Sequence, residues 1–345
     1  MEYRTLGDGA LQVSAICMGT MTFGEQNDEA QAHALLDRAW EAGVNFYDTA
    51  EMYPVPARAE TYGATERILG TWLKRKPRDR VILATKAAGP ARSLNWIRGG
   101  PSGFDERNLR EAIEGSLRRL QTDYVDLYQL HWPDRNQPMF GDWRFDPDKE
   151  RPTVPILAQL EALAKLVEEG KIRYVGVSNE HSWGVMQFVR LAEEHGLPRI
   201  VSIQNAYHLM NRTFEYGLEE VCFRERVGLL AYSPLAFGLL SGKYLADPQA
   251  EGRLTRFANF GQRYAKPNVQ PAVEAYAQLA RELGVSPATL ALGWVYHRRC
   301  VTSTIIGATR PEQLEENLRA WDWRPSPEVL ARIDEIHLRY TNPAP

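Results

Sequence analysis

Eight short apolar segments spread along the chain constrain the fold more than any other feature of the sequence. They are apolar throughout, without alternating polar positions, which is typical of parallel strands covered on both faces. Nearly all are followed by a stretch with helical periodicity, and eight such units favour a closed barrel over an open sheet. The sequence therefore predicts an α/β fold, a (β/α)8 TIM barrel, with strands at residues 13–21, 44–49, 81–86, 124–131, 174–178, 200–205, 228–233 and 303–308.

The segments between the predicted strands carry the signals of helix ends. Asp105 is an N-cap candidate, and Gly43 and Gly284 stand where helices would stop. Ser286-Pro287 is a cap residue followed by proline at the first helical position. Helices are predicted near residues 28–42, 64–75, 106–120, 156–167, 182–195, 214–226, 270–283 and 286–299, and from residue 311 onward.

The chain shows no change of composition that would mark a boundary between domains. We therefore expect residues 1–345 to form a single domain, with residues 3–13 as a hairpin that caps the bottom of the barrel. Two predicted loops, 132–153 and 235–269, are longer than an ordinary connection. In a barrel such loops lie over the carboxyl ends of the strands, where active sites are found.

Composition and charge exclude several classes of function. The 41 Lys and Arg residues are balanced by 44 Asp and Glu residues, so we expect no nucleic-acid partner. No run of about 18 apolar residues predicts a membrane span, and the first residues do not resemble an export signal. The cysteines at 17, 222 and 300 fit reduced thiols, and the seven histidines lack metal-ligand spacing. We expect a cytoplasmic protein without a metal.

Polar residues stand where consecutive apolar strands end. Asp48, Lys86 and His131 close the second, third and fourth strands, and Tyr53 follows five residues after Asp48. Each alone has an ordinary explanation as a turn cap or a solvated group, but on one rim they predict a functional cluster. An ammonium beside a phenol favours the phenolate, and a carboxylate keeps that ammonium charged. Tyr53 could then give a proton to a carbonyl oxygen that a neutral His131 orients.

No side chain in this cluster can supply a hydride, so a cofactor is implied. Ser178, Asn179 and Gln204 end later strands with groups suited to a carboxamide, and Tyr232 offers an aromatic face for a flat ring. The alternative for Tyr232 and the following proline is ordinary loop packing. Arg310 beside a helix start is suited to a phosphate. No G-x-G-x-x-G follows any strand, which disfavours a Rossmann-type site.

Motifs along almost the whole chain resemble those of the aldo-keto reductases. They are Met18-Gly19-Thr20-Met21, the stretch from Asn45 to Tyr53, Val175-Gly176-Val177-Ser178-Asn179, Gln204-Asn205, Ala231-Tyr232-Ser233-Pro234-Leu235 and Ile305-Ile306-Gly307-Ala308-Thr309-Arg310 with Asn317. The loop after His131-Trp132-Pro133 and the ending Asn342-Pro343-Ala344-Pro345 are most similar to the bacterial Tas-type and channel β-subunit-like branch.

The resemblance implies a catalytic tetrad of Asp48, Tyr53, Lys86 and His131 and a cofactor, NADP(H) in preference to NAD(H), lying across the barrel mouth. Well-known members carry Lys-Ser at Gly307-Ala308 and Arg at Gln313, and Arg310 could compensate for these departures. The cofactor-binding residues that it implies are Gly19, Thr20, Met21, Asp48, Ser178, Asn179, Gln204, Tyr232, Ser233, Pro234, Leu235, Gly238, Leu240, Ser241, Gly242, Lys243, Tyr244, Ile306, Gly307, Ala308, Thr309, Arg310, Gln313 and Asn317.

The predicted function is the reversible reduction of an aldehyde or ketone, with Tyr53 as proton donor. The substrate site is expected to contain Phe23, Trp96 and Trp132 beside Tyr53 and His131, and these rings with Phe140 and Trp143 indicate an apolar or aromatic carbonyl substrate. Two alternatives stay open at this stage, a redox sensor that holds NADPH and turns over slowly, and a lyase that forms a Schiff base on Lys86. The physiological substrate and the oligomeric state are not predicted.

Overall fold

The computed structural model describes residues 1–8, 11–90, 92, 94–257 and 260–345. The chain begins with an antiparallel hairpin, β1 (Tyr3–Leu6) and β2 (Leu11–Ser14). The Arg4 guanidinium donates to the backbone oxygens of Val301 and Tyr296, so the hairpin lies against the amino end of the last barrel strand. The predicted hairpin is confirmed, and its residues 9 and 10 lie outside the described residues.

Eight parallel strands close into a barrel in which each strand pairs with its sequence neighbours and the last pairs with the first. The predicted (β/α)8 fold is confirmed. The predicted strand 13–21 is divided, because Ser14 ends the hairpin and the barrel strand starts at Ile16. The barrel strands are β3 (Ile16–Gly19), β4 (Phe46–Asp48), β5 (Ile82–Ala87), β6 (Val125–Leu130), β7 (Ile172–Ser178), β8 (Ile200–Ala206), β9 (Gly228–Tyr232) and β10 (Val301–Ile306).

Helices surround the barrel and begin at the residues that the capping signals indicated. The Asp105 and Ser286 side chains accept from the backbone N–H groups of Asn108 and Thr289. The helices are α1 (Glu29–Glu41), α2 (Ala64–Leu73), α3 (Glu106–Leu120), α4 (Ile156–Glu168), α5 (Ser182–His195), α6 (Leu218–Arg224), α7 (Lys243–Ala246), α8 (Arg253–Arg256), α9 (Val269–Glu282), α10 (Pro287–Tyr296), α11 (Pro311–Arg319) and α12 (Pro327–Arg339).

Two parts of the helix prediction were wrong. The helix expected at 214–226 starts at Leu218, because Gly217 has a left-handed φ of 87° and separates α6 from a single 3-10 turn. The C-terminal helix α12 was not predicted, although Ser326 caps it and Pro327 is its first residue. This is the same signal that identified α10.

Two apolar layers give the strands their continuous hydrophobic character. One fills the barrel interior and contains Cys17, Phe46, Leu127 and Leu230 together with Leu6 of the hairpin. The other lies between the strands and the helices. The two long loops carry short elements of their own, including a 3-10 segment at Ala236–Ser241 and another at Pro147–Lys149. Residues 258 and 259 of the second predicted loop lie outside the described residues.

Candidate active site

The parallel register places the predicted polar residues at one end of the barrel. Asp48 is the last residue of β4, and Lys86 pairs in register with Gln129 of the next strand. His131 follows β6 directly. The four residues Asp48, Tyr53, Lys86 and His131, which we call the tetrad, are all buried. The fold therefore brings together residues that are up to 83 positions apart in the sequence.

The Lys86 ammonium is at the centre of the tetrad. Its Nζ lies 2.5 Å from Asp48 Oδ2, 2.8 Å from the Thr49 carbonyl oxygen and 3.4 Å from the Tyr53 hydroxyl. Burial by itself would lower the pKa of Lys86, but the interactions with Asp48 and Tyr53 together more than offset it, so the pKa lies above its ordinary value. The amine therefore stays protonated and contacts one carboxylate and one phenol.

Tyr53 remains a neutral phenol at this position. Burial raises its pKa, and the Lys86 charge opposes that rise without overcoming it, so the net direction is upward. The expectation that the ammonium would favour the phenolate gave the correct sign for that one interaction but the wrong net direction. A phenol that keeps its proton while it lies beside a cation is suited to give that proton to a substrate.

His131 lies beside the Tyr53 ring. The two ring centroids are 5.6 Å apart with the rings edge to face, and Trp132 lies 5.0 Å from His131. Burial, followed by the Lys86 and Arg92 charges, holds the pKa of His131 well below its ordinary value. Its Nδ1 has no hydrogen-bond partner among the described residues. The imidazole is therefore neutral.

Two glutamines complete the surroundings of Asp48. The Gln129 and Gln204 side-chain amides both donate to Asp48 Oδ1, at 3.1 and 2.8 Å. The Gln204 amide also donates to the side-chain oxygen Oε1 of Gln129 at 3.1 Å. Gln129 was not identified from the sequence. It lies on β6, and a buried amide within an apolar strand was the available signal.

The loop that carries Tyr53 is fixed by a second buried acid that sequence reasoning missed. Glu51 Oε1 accepts from the Ala88 backbone N–H at 2.6 Å, and its other oxygen accepts from the Tyr62 hydroxyl at 2.9 Å. Arg98 forms a buried ion pair with the same carboxylate. The start of the Tyr53 loop is thereby attached to β5, the strand that carries Lys86.

Groups predicted to hold a carboxamide form one connected set. Ser178 Oγ donates to the Gln204 backbone oxygen at 2.7 Å, and the Asn179 amide donates to the His131 backbone oxygen at 2.9 Å. The Tyr232 hydroxyl donates to Asn179 Oδ1 at 2.6 Å. Asn179 and Ser233 both have left-handed φ values, 54° and 55°, which are uncommon for these residues and re-aim the chain at two strand ends.

The segment after β9 and the start of α11 contribute cations. Lys243 Nζ donates to the Glu251 backbone oxygen at 2.8 Å, and burial together with the Arg310 and Arg253 charges lowers the pKa of Lys243. Arg253, which was not predicted, lies with its guanidinium 4.5 Å from the centroid of the Phe237 ring. Lys243, Arg253 and Arg310 therefore share one region, and their mutual repulsion would be relieved by an anion there.

The end of β10 is open where the cofactor was predicted. A side chain at Gly307 would meet no atom within 4 Å, whereas one at Gly19 would collide with Ile305. Asn317 donates to the Gly307 carbonyl oxygen at 3.1 Å. Gln313, the residue that departs from the best-known pattern, accepts at 2.9 Å from the Thr309 backbone N–H. Its carbonyl thus stabilises this turn.

The other predicted cofactor residues lie on the same segments. Gly19 and Thr20 come at the end of β3, where Thr20 Oγ1 donates to the Asp48 backbone oxygen at 2.8 Å. Ser241 Oγ donates to the Gly238 backbone oxygen at 2.7 Å. The rest of this set lies at the end of β10 and on the segments that follow β3, β9 and β10, and it consists of Met21, Pro234, Leu235, Leu240, Gly242, Tyr244, Ile306 and Ala308.

The predicted substrate residues do not all lie together. Trp132 belongs to a small apolar cluster against which Trp96 and Phe140 pack, and its indole donates to the Pro90 backbone oxygen at 2.9 Å. Phe23 instead is part of the large core between strands and helices, and its carbonyl accepts from Thr65. The structure thus places Trp96 and Trp132 in one group and Phe23 in another.

The part of the chain that the structure describes carries neither a membrane-spanning helix nor a metal-binding cluster. Over those ranges, no helix combines the length and the apolar character needed to cross a membrane. The same ranges contain no group of three or more His, Cys, Asp or Glu side chains arranged to hold a metal ion.

A closed (β/α)8 barrel with Asp, Tyr, Lys and His buried at its carboxyl end defines a class of oxidoreductases that act on carbonyl groups. The model of the "Aldo/keto reductase family" matches residues 15–338, and the chain belongs to that family. The resemblance predicted from the motifs is confirmed.

Individual relatives support the predicted branch. The chain is 48% identical over 347 aligned positions to "Protein tas" of Escherichia coli (strain K12), with all of both chains covered. It is 32% identical to a "Probable voltage-gated potassium channel subunit beta" of Oryza sativa subsp. japonica, covering 97% of this chain and 96% of the relative. It is 31% identical to "L-glyceraldehyde 3-phosphate reductase" of Escherichia coli O157:H7, covering 97% and 92%.

Proposed function

We propose that the protein reduces aldehydes or ketones to alcohols with NADP(H), and that Tyr53 is the proton donor. The observation that carries this proposal is the buried chain of contacts from Asp48 through Lys86 to the Tyr53 hydroxyl, with the neutral His131 ring beside the phenol. In this arrangement the Tyr53 hydroxyl would give its proton to the carbonyl oxygen of a substrate at the barrel mouth.

The residues around the mouth fit a nicotinamide dinucleotide. The Gln204 amide nitrogen is engaged with Asp48 and Gln129, which leaves its carbonyl oxygen to accept from a carboxamide, while Asn179 and Ser178 lie beside it. Tyr232 offers the ring face on which the nicotinamide would stack. Lys243, Arg253 and Arg310 would hold the phosphates. When bound, the reduced cofactor supplies a hydride to the carbonyl carbon.

The protein's own residues manage the proton. Tyr53 Oη gives its proton to the carbonyl oxygen as negative charge develops there, and the Lys86 ammonium stabilises the phenolate that remains. Tyr53 then regains a proton from solvent, so the alcohol product carries one added hydride and one added proton. The neutral His131 donates a hydrogen bond to the same oxygen and thereby orients the substrate. Asp48 keeps Lys86 charged and in place.

The preference for NADP(H) over NAD(H) rests on the cations near α11. Gly307 and Ala308 bring no charge to the 2′-phosphate, and Gln313 is occupied in its turn. Arg310 is exposed at the N-cap position of α11, and its charge reaches Lys243. These two cations beside a helix N-terminus are suited to a phosphate monoester.

Replacing Tyr53 with Phe tests the proposal. We expect kcat for 4-nitrobenzaldehyde to fall by about 10²–10⁴-fold, which is the typical value of a general acid. The affinity for NADPH, measured by quenching of its fluorescence, should not change. Turnover close to that of the wild type would overturn the assignment of Tyr53 as proton donor.

Two other functions make different predictions. A Schiff-base lyase needs a neutral amine, and the Lys86 ammonium is held charged by Asp48, which argues against that chemistry. A redox sensor is suggested by the relative that is named as a channel subunit. Oxidation of bound NADPH in a single turnover separates slow cofactor release, which a sensor would show, from absent chemistry.

A further inference from the structure

A second group of cations lies around the Phe140 ring. Arg92, in the loop after β5, stands 4.1 Å from the centroid of the Phe140 ring, and Arg263 stands 5.6 Å from the same ring. Lys266 joins them, because its Nζ donates at 2.6 Å to the carbonyl oxygen of Gly141, the residue next to Phe140. We call Arg92, Phe140, Arg263 and Lys266 the loop wall.

The loop wall carries more positive charge than its surroundings balance. Within the described part of the chain, neither Arg92 nor Arg263 forms an ion pair, and Asp142 is the acid whose charge reaches Arg92 and Lys266. Burial lowers the pKa of Lys266, and the neighbouring Arg263 charge lowers it further. Three cations against one carboxylate repel one another, and an added anion would relieve that repulsion.

The loop wall is adjacent to the reacting groups. The Trp132 ring is close to both Arg92 and His131, with its centroid 5.5 Å from the Arg92 guanidinium and 5.0 Å from the imidazole ring. Arg263 is buried and lies near the phenol groups of Tyr232 and Tyr264. A molecule whose carbonyl oxygen meets Tyr53 and His131 would therefore extend along Trp132 and Phe140 toward the two guanidinium groups.

We propose that the loop wall is a binding subsite for an acidic group of the substrate, a carboxylate or a phosphate held by Arg92 and Arg263. This inference rests on the proposed carbonyl reductase function and names the class of compound that it acts on, an aldehyde or ketone with an acidic group a few bonds from the carbonyl. A guanidinium binds both kinds of oxyanion through two parallel hydrogen bonds. Trp132 and Phe140 would contact the apolar body between the two functional groups.

This substrate class differs from the one expected from the sequence. Aromatic residues in the loops indicated an apolar or aromatic carbonyl compound. The rings are present, but two of them, Trp132 and Phe140, carry a guanidinium on one face. An arginine stacked on an aromatic ring presents its N–H groups outward along the edge of the guanidinium plane, where an oxyanion can accept from them.

The test compares three aldehydes that share one ring: benzaldehyde, 4-carboxybenzaldehyde and 4-formylphenyl phosphate. For the wild type we expect kcat/KM for at least one anionic aldehyde to exceed that for benzaldehyde by about tenfold or more, and this preference should weaken with added salt. Arg92→Met should reduce the ratio of anionic to neutral kcat/KM by about 10- to 100-fold, since it removes a charge-assisted contact. Arg92→Lys should restore part of it.

The controls separate this subsite from the rest of the enzyme. Arg107→Met, an exposed position on α3, should leave the ratio unchanged. Arg263→Lys tests the buried cation without removing its charge. A higher kcat/KM for 4-carboxybenzaldehyde would indicate a carboxylate substrate, and a higher kcat/KM for 4-formylphenyl phosphate would indicate a phosphate substrate.

Three outcomes would overturn the proposal. The first is a wild type that reduces benzaldehyde as well as both anionic aldehydes. The second is an Arg92→Met ratio equal to that of the wild type. The third is a rise in the dissociation constant of NADPH with no change in the ratio, which would assign these cations to the cofactor. Failure of the carbonyl reductase function itself would look different, because no aldehyde would then be reduced.

Discussion

The tetrad and the loop wall hold positive charge next to each other in two different ways. Lys86 is fully buried on a barrel strand and is matched by Asp48, whose oxygens also accept from two glutamine amides. The cations of the loop wall lie on loops, with Arg92 and Arg263 against the Phe140 ring and one nearby acid at Asp142. The paired charge of Lys86 is suited to holding catalytic groups in place, and the unpaired charges of the loop wall are suited to binding an anionic substrate.

This difference implies that the two regions respond differently to substitution. Removing one partner of a buried ion pair leaves an uncompensated charge and damages folding as well as catalysis. Removing an unmatched cation relieves repulsion within the free protein and weakens only the binding of an anion. The predictions that follow test this contrast, beginning with the largest expected effect.

Lys86→Met should have the largest effect, because it leaves the Asp48 carboxylate buried without its cation. We expect kcat to fall by about 10²–10⁴-fold and the free energy of unfolding to fall by about 3–5 kcal/mol. Steady-state kinetics and urea denaturation measure the two effects. Lys165→Met on α4 is the matched control, since its exposed ion pair with Glu106 contributes at most about 1 kcal/mol. If Lys86→Met changed both kcat and the free energy of unfolding only slightly, the proposed contrast between the tetrad and the loop wall would be wrong.

Arg310→Met should affect the cofactor and leave the tetrad intact. If Arg310 compensates for the uncharged Gly307 and Ala308, the dissociation constant of NADPH should rise by about 10- to 100-fold and that of NADH should change little. Fluorescence quenching with both nucleotides measures this. Arg319→Met, exposed at the other end of α11, serves as the control. Equal weakening of both nucleotides would show that Arg310 does not contact the 2′-phosphate.

Gln129→Leu should have a smaller effect, because Asp48 keeps its bonds to Lys86 and Gln204. We expect about a tenfold loss of kcat and about 1–3 kcal/mol of stability, from one lost donor to a carboxylate and one unmet amide on Gln204. Gln159→Leu, a buried glutamine on α4 that donates to the Val154 backbone oxygen, is the control. It should lose stability without loss of kcat. A variant that keeps wild-type kcat would limit Gln129 to a structural role.

The strands and most helices could be predicted because their signals are local. Continuous apolar runs, the Asp105 cap and the Ser286-Pro287 pair each lie within a few residues of the element that they specify. The same rules fail at Gly217, where a left-handed glycine replaces the expected first turn of α6. One glycine inside a helical periodicity does not reveal which conformation it takes, because glycine adopts both helical and left-handed conformations readily.

The site was predictable only where strand ends supplied a rule. Asp48, Lys86 and His131 follow apolar runs, so the barrel topology alone places them on one rim. Arg92 and Arg263 are 171 positions apart on two loops, and no spacing relates them. Their convergence on Phe140 depends on how three loops pack together. The net direction of the Tyr53 pKa likewise required the degree of burial, which the sequence does not state.

The dependence of kcat/KM on pH should distinguish the tetrad from the loop wall, and it is the smallest of the expected effects. The pKa of His131 in the folded protein lies well below its ordinary value of 6.5. As pH falls below 6.5, the unfolded protein therefore binds a proton on this imidazole and the folded protein does not, so the folded protein loses stability. The folded imidazole stays neutral, so kcat/KM for benzaldehyde should vary by less than about twofold between pH 6 and 8. The phosphate of 4-formylphenyl phosphate gains its second charge near pH 6, so its kcat/KM should rise by a few-fold over the same range if the loop wall binds it. A step near pH 6.5 with benzaldehyde would mean that His131 titrates in the free enzyme, and equal profiles for both aldehydes would mean that the loop wall does not sense the substrate's charge.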